Sequence, residues 1–208
     1  MPEGREHEAA RSAQDCARSP TLVVIRGNSG SGKTTIAREV RRRYGRGCAL
    51  LEQDHLRRVV LREHDRDDVE PTAPAFIAAT ARTALELGHH VVLEGILRTA
   101  RYGAVLRDLI AGHPGPSSVF YLDIPFDETV RRHAGRAHLV TFTPQDMRGW
   151  YLPGDRLGGP GETTIGADSA FEDTVAAILH GSGLAGQGAL TPCPVHCPRC
   201  AEEMTAGN

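Results

Sequence analysis

Thr21-Leu22-Val23-Val24-Ile25-Arg26-Gly27-Asn28-Ser29-Gly30-Ser31-Gly32-Lys33-Thr34-Thr35 decides the fold. Thr21 to Ile25 is a short β-branched run with the length and composition of a buried strand. Three glycines, at 27, 30 and 32, then interrupt it. From Thr35 to Tyr44 the spacing turns helical, with Ile36, Ala37 and Val40 on the apolar side. A strand, a turn of pattern Gly-x-x-x-x-Gly-Lys-Thr and a helix, in that order, make a phosphate cradle. The glycines let backbone N–H groups turn toward phosphate oxygens, and the helix N-terminus adds about half a positive charge. The pattern predicts that Gly27, Asn28, Ser29, Gly30, Ser31, Gly32, Lys33, Thr34 and Thr35 bind a nucleoside triphosphate. Lys33 is expected to reach its β- and γ-phosphates, and the Thr34 hydroxyl to ligate Mg2+. Lys33 is the only lysine in an arginine-rich chain, standing where a compact ammonium fits and a wide guanidinium fork does not.

Outward from this stretch, short apolar runs alternate with helical ones. Strands are expected at Cys48 to Leu51, His90 to Leu93, Val119 to Ile124 and Thr163 to Ile165. Helices are expected over Asp54 to Glu63, Ala75 to Leu87, Ala100 to Ala111, Phe126 to His133 and from Pro144 to Tyr151. A last one should open at a Ser169–Glu172 capping box and run to about His180. This alternation implies an α/β fold with a mainly parallel sheet between two helical layers. Right-handed crossovers then gather the loops that follow the strands along one edge, where ligands bind. Residues 1–20 read as a disordered polar leader, 21–180 as the domain, and 181–208 as a flexible tail rich in Gly, Pro and Cys.

The 208 residues suffice for one α/β core. A formal charge of −2 gives no footprint for nucleic acid or an anionic membrane. No apolar run is long enough to span a bilayer, and the first residues lack a signal-peptide core. These features point to a cytoplasmic enzyme with neither a nucleic-acid nor a membrane partner.

The acceptor side is read from two further segments. In Gln53-Asp54-His55-Leu56-Arg57-Arg58, Asp54 follows a strand and can take the proton of a hydroxyl acceptor. It can also act simply as the N-cap of the next helix. Arg57, one turn on, is placed to bind the acceptor or the transferring phosphoryl group. In Val91-Val92-Leu93-Glu94-Gly95 a buried strand ends in a carboxylate. Glu94 can hold a magnesium-bound water or a substrate hydroxyl there, or face solvent. Arg98 and Arg101 can line the acceptor pocket or stand as surface arginines. Arg132 and Arg136 share a helical face and can stabilise the transferring phosphoryl group or cap their helix; Arg148 is a further candidate.

The pieces Gly27 to Thr34, Asp54 to Arg57, Val91 to Gly95, Tyr121-Leu122-Asp123-Ile124-Pro125 and the arginines through Arg136 together carry a resemblance. The chain resembles the small-molecule P-loop kinases of the zeta-toxin and chloramphenicol-phosphotransferase type, within the shikimate- and adenylate-kinase-like group. The resemblance implies a three-layer P-loop kinase fold, a five-stranded sheet of order 2-3-1-4-5 and a small helical lid at about 134–160. It also implies transfer of the γ-phosphoryl group of ATP to a hydroxyl, with Asp54 as base. The chain lacks a Asn-Lys-x-Asp guanine signature, and GTP stays open beside ATP. The acceptor is a small molecule: a metabolite, nucleoside or antibiotic, or, in a toxin-like enzyme, a nucleotide sugar. The reading from another class is a nucleotide-binding regulatory module without catalysis. In the tail, Cys193, His196, Cys197 and Cys200 offer only one zinc knuckle, and a disordered segment is the simpler reading.

Overall fold

The computed structural model describes residues 19–63, 71–135, 143–159 and 161–186. The chain runs β1 (Leu22–Gly27), α1 (Lys33–Tyr44), β2 (Cys48–Glu52) and α2 (Gln53–His55), which continues as a π-helical turn (Leu56–Val60). Then come α3 (Ala73–Glu86), β3 (His90–Gly95), α4 (Thr99–Gly112), β4 (Ser117–Asp123) and α5 (Phe126–Ala134). Next are α6 (Pro144–Trp150), β5 (Glu162–Gly166), α7 (Phe171–Gly181) and a 3-10 turn (Leu184–Gly186). The five strands are parallel in the order β2-β3-β1-β4-β5, as the resemblance implied.

The central strand explains the three layers. Every residue of β1 is buried, as expected of a strand covered on both faces. Its side chains alternate. Leu22 and Val24 join Ile77, Ala81, Leu106 and Leu109 in a core under α3 and α4. Val23 and Ile25 join Ile36, Val40, Val175 and Ile178 under α1 and α7. Each fully buried Leu, Val or Ile contributes roughly 1.5–3 kcal/mol, and this double core holds a helical layer on each face of the sheet.

Several local expectations change. Gly32, in the left-handed region at φ 95°, is the N-cap of α1, so the helix begins at Lys33 rather than Thr35. Asp54 is not a helix cap: Glu52 occupies that position of α2 and Asp54 lies in the first turn. The box expected at Ser169 and Glu172 does not form, because the N-cap is Ala170. Glu172 instead accepts from Arg43 across to α1 at 2.6 Å, and Ser169 meets the Thr174 hydroxyl at 2.8 Å. At α6 the Thr143–Asp146 capping box is present. Packing also continues past residue 180, since Ser182 and Leu184 are buried. The leader up to residue 18, Arg136, and the Cys193, His196, Cys197 and Cys200 cluster lie outside the described residues. Among the described residues, no helix is long and apolar enough to cross a membrane.

Candidate active site

Strand parity brings the chemistry to one edge. On β3, Val92 packs with the α1 layer and Leu93 with the α3 layer. Glu94, two residues after Val92, therefore turns toward the start of α1. On β2 the same parity turns Glu52 that way, and Glu52 sits beside Glu94 in register.

The loop Gly27–Thr34 is shaped as a cradle that side chains would fill. A Cβ on Gly27 would lie 2.7 Å from the Leu122 carbonyl oxygen, and one on Gly30 2.7 Å from that of Thr129. Both glycines also have positive φ, at 150° and 79°. Lys33 is buried, and its Nζ donates to the Asn28 carbonyl at 2.9 Å. The buried Ser31 Oγ makes no hydrogen bond. An ammonium, a helix N-terminus and a side-chain-free turn with a polar atom to spare fit a triphosphate. The residues that would hold it are the backbone of Gly27 to Thr34 and the side chains of Lys33, Thr34 and Thr35.

At the head of the cradle the Thr34 hydroxyl donates to Glu94 Oε1 at 3.0 Å. Glu94 is only 3 % exposed, which overturns the solvent-facing alternative. Burial pushes its carboxyl up, while the Lys33 ammonium and the Thr34 hydroxyl hold it down. Two hard oxygen donors meeting beside a phosphate cradle suit Mg2+. Glu52 takes a two-point hydrogen bond from Arg38, with Nη2 to Oε2 at 2.9 Å.

Beside the cradle is a cavity of about 260 Å³ lined by Gly32, Thr35, Ile36, Leu122, Ile124, Ile165 and Arg132 among others. Arg132 is held by Glu128 at 2.6 Å and donates to the Ser31 carbonyl at 3.1 Å. It therefore stands at the phosphate loop rather than serving only to cap α5.

The acceptor-side residues are more spread. The Asp54 side chain is 71 % exposed and accepts from Arg58 Nε at 2.6 Å. Arg57 does not share that exposed face. It is buried, with Nε 3.9 Å from Glu63, because the wider π-helical turn shifts the phase of the following side chains. Glu63 in turn accepts from the Thr72 and Ala73 N–H groups at the start of α3, both at 2.9 Å. Arg98 donates to the Trp150 carbonyl at 3.1 Å, and Arg148 lies 4.3 Å over the Phe126 ring.

A family model described as "AAA domain" matches residues 22–146, more than half of the chain. The chain belongs to this AAA domain family. A search of curated proteins finds no match. Among solved structures, similar folds include the Mycobacterium tuberculosis APS kinase CysC in complex with AMPPNP and APS. It is 22 % identical, with 81 % of this chain and 99 % of that chain covered and a TM-score of 0.61. A gluconokinase from Sinorhizobium meliloti 1021 is 19 % identical, covering 81 % and 94 %, with a TM-score of 0.59. The Deinococcus radiodurans tunicamycin resistance protein is 18 % identical, covering 84 % and 100 %, with a TM-score of 0.56. The shared fold is that of the P-loop kinases.

In this AAA domain three residues gain a place that the sequence alone left unassigned. Glu52 stands beside Glu94, and its signal was the strand parity that β2 shares with β3. Arg26 is 0 % exposed although charged. Its guanidinium donates to the Leu97 carbonyl and the Thr99 hydroxyl, each at 2.8 Å, and pairs with Asp155 and Glu162 at 3.3 Å. A charge near the end of an otherwise apolar strand was the visible sign. Tyr121, buried on β4, accepts from the Asp155 N–H at 3.2 Å.

Proposed function

We propose that this chain is an ATP-dependent phosphotransferase that moves the γ-phosphoryl group to a hydroxyl of a small molecule. The observation that carries the reading is the meeting of the Thr34 hydroxyl and the buried Glu94 carboxylate at 3.0 Å, at the head of the cradle. It supports the reading because two hard oxygen donors beside a phosphate cradle suit a nucleotide's metal, on the sheet edge from which Asp54 also projects.

In this reading the loop backbone and Lys33 hold the phosphates, and Thr34 with Glu94 holds Mg2+. Bound Mg2+ neutralises charge on the transferring phosphoryl group. The cavity beside Arg132 receives the base, and that guanidinium can cover its face. Asp54 takes the acceptor's hydroxyl proton as the oxygen bonds to the γ-phosphorus and the β–γ bridging P–O bond breaks, releasing ADP. Arg57, Arg98 and Arg136 are proposed to orient the acceptor and the transferring group. The structural neighbours named above are an APS kinase, a gluconokinase and a tunicamycin resistance protein, which supports a small acceptor and leaves its class open. A toxin-like activity on a nucleotide sugar belongs to the same reaction class, and a cytoplasmic location is part of the same reading.

The test is a screen with γ-labelled ATP against sugar acids, nucleosides, nucleotide sugars and hydroxylated antibiotics. One class should give acceptor-dependent release of ADP and a labelled product. Saturable ATP binding without transfer to any acceptor would instead favour a nucleotide-binding regulatory module.

A further inference from the structure

The segment from Trp150, the last residue of α6, to Leu157 crosses the sheet edge as a strap, and it is fastened by residues on both sides of the candidate site. On the phosphate side is Asn28. Its Nδ2 donates to the Leu152 carbonyl at 2.8 Å and its Oδ1 accepts from the Leu152 N–H at 2.9 Å. This two-point pairing is the one a second peptide group would make, and it is nearly sealed from solvent, with Asn28 4 % exposed. The Asn28 carbonyl is at the same time the acceptor of Lys33 Nζ at 2.9 Å. One residue therefore joins the cradle's ammonium to the strap. On the acceptor side, Arg98 holds the Trp150 carbonyl at 3.1 Å. The Thr99 N–H donates to Asp155 Oδ2 at 3.1 Å.

We propose that Asn28 is a positioning residue, whose side chain couples phosphates in the cradle to the strap and, through the strap, to the acceptor side. The proposal rests on the reading of Gly27–Thr34 as a triphosphate site. Its physical basis is that Asn28 bears both contacts on one residue: its backbone carbonyl accepts from Lys33 and its side-chain amide pairs with Leu152. A polyphosphate held by the loop N–H groups and by the remaining ammonium hydrogens of Lys33 orders the Asn28 backbone, and an ordered backbone holds its amide on Leu152. The coupling is reciprocal, as any coupling between two sites must be. The side chain of Asn28, unlike its backbone, then serves the strap and not the phosphates. Aspartate would keep the acceptor and turn the other oxygen against the Leu152 carbonyl.

Hydrogen exchange read by mass spectrometry, with Mg-AMPPNP as the probe, tests this on the full chain. In the wild type, Mg-AMPPNP should slow exchange in peptides carrying residues 27–34 and also in those carrying 150–157. In Asn28→Ala the first effect should remain. The second should fall by roughly tenfold or more, the worth of two hydrogen bonds near 1 kcal/mol each. Leu152→Pro removes the N–H from the strap side and leaves the loop sequence intact. Its predecessor, Tyr151, already has the extended ψ of 126° that proline requires. It should lose part of the same protection, roughly fivefold for the one hydrogen bond removed, and it carries the test if Asn28→Ala does not fold. Protection at 27–34 without protection at 150–157 in the wild type would overturn the coupling. So would full strap protection in both variants. No protection at 27–34 in the wild type would overturn the triphosphate reading itself, and the coupling with it.

Discussion

Asp54 stands in the first turn of α2, 71 % exposed and held by Arg58 four residues on. It caps nothing, so replacing it with asparagine removes one exposed i,i+4 pair worth about 0.3–0.5 kcal/mol. If it is the base, Asp54→Asn should leave ATP affinity nearly unchanged and lower transfer by roughly 10²–10⁴-fold. Steady-state turnover beside a binding titration measures both. Unchanged turnover would move the base to Glu94, whose carboxyl is already pushed up by burial. Lys33 and Glu94 were legible from the sequence because each stands at a fixed offset from a strand end. Arg57 was not, since the π-helical turn that buries it against Glu63 leaves no periodic signature in so short a helix. The side chain of Asn28 was not legible either, because its partner Leu152 lies 124 residues away.

At the scale of elements, the sheet edge is held by a buried charge. Arg26, next to last in β1, ties together the β3–α4 connection, the strap and β5 through Leu97, Asp155 and Glu162. Its partners keep other donors, with Thr99 N–H on Asp155 and the Leu157 and Gly158 N–H groups on Glu162. Arg26→Met should therefore cost about 3 kcal/mol, the low end for breaking a buried pair by removing one partner. Urea unfolding followed by circular dichroism would show it as a lower midpoint at unchanged slope. A loss below about 1 kcal/mol would mean that the network adds little to stability. β1 and β3 were readable because β-branched runs that end at glycine have few alternatives. The capping box expected at Ser169 was not formed. Glu172 had a competing partner, Arg43 on α1, and no local pattern reveals a competitor from another element.

For the whole molecule, alternation of strand and helix predicted the parallel sheet, and the resemblance supplied its order. What neither could supply is the acceptor. In the proposed reading its surroundings come from α2, the π-helical turn, the start of α4 and the strap, four segments whose meeting depends on tertiary packing. The cradle is different: it is local in sequence, and its function can be tested without knowing the acceptor. Titration of Mg-ATP into the wild type and Lys33→Ala, with thermal unfolding of both, bears on it most directly. Lys33→Ala should melt near the wild type and bind Mg-ATP roughly 10- to 100-fold more weakly, as expected for losing a charged hydrogen bond to phosphate. Equal affinity in the two proteins, with both folded, would contradict the assignment of Gly27–Thr34 as the triphosphate site.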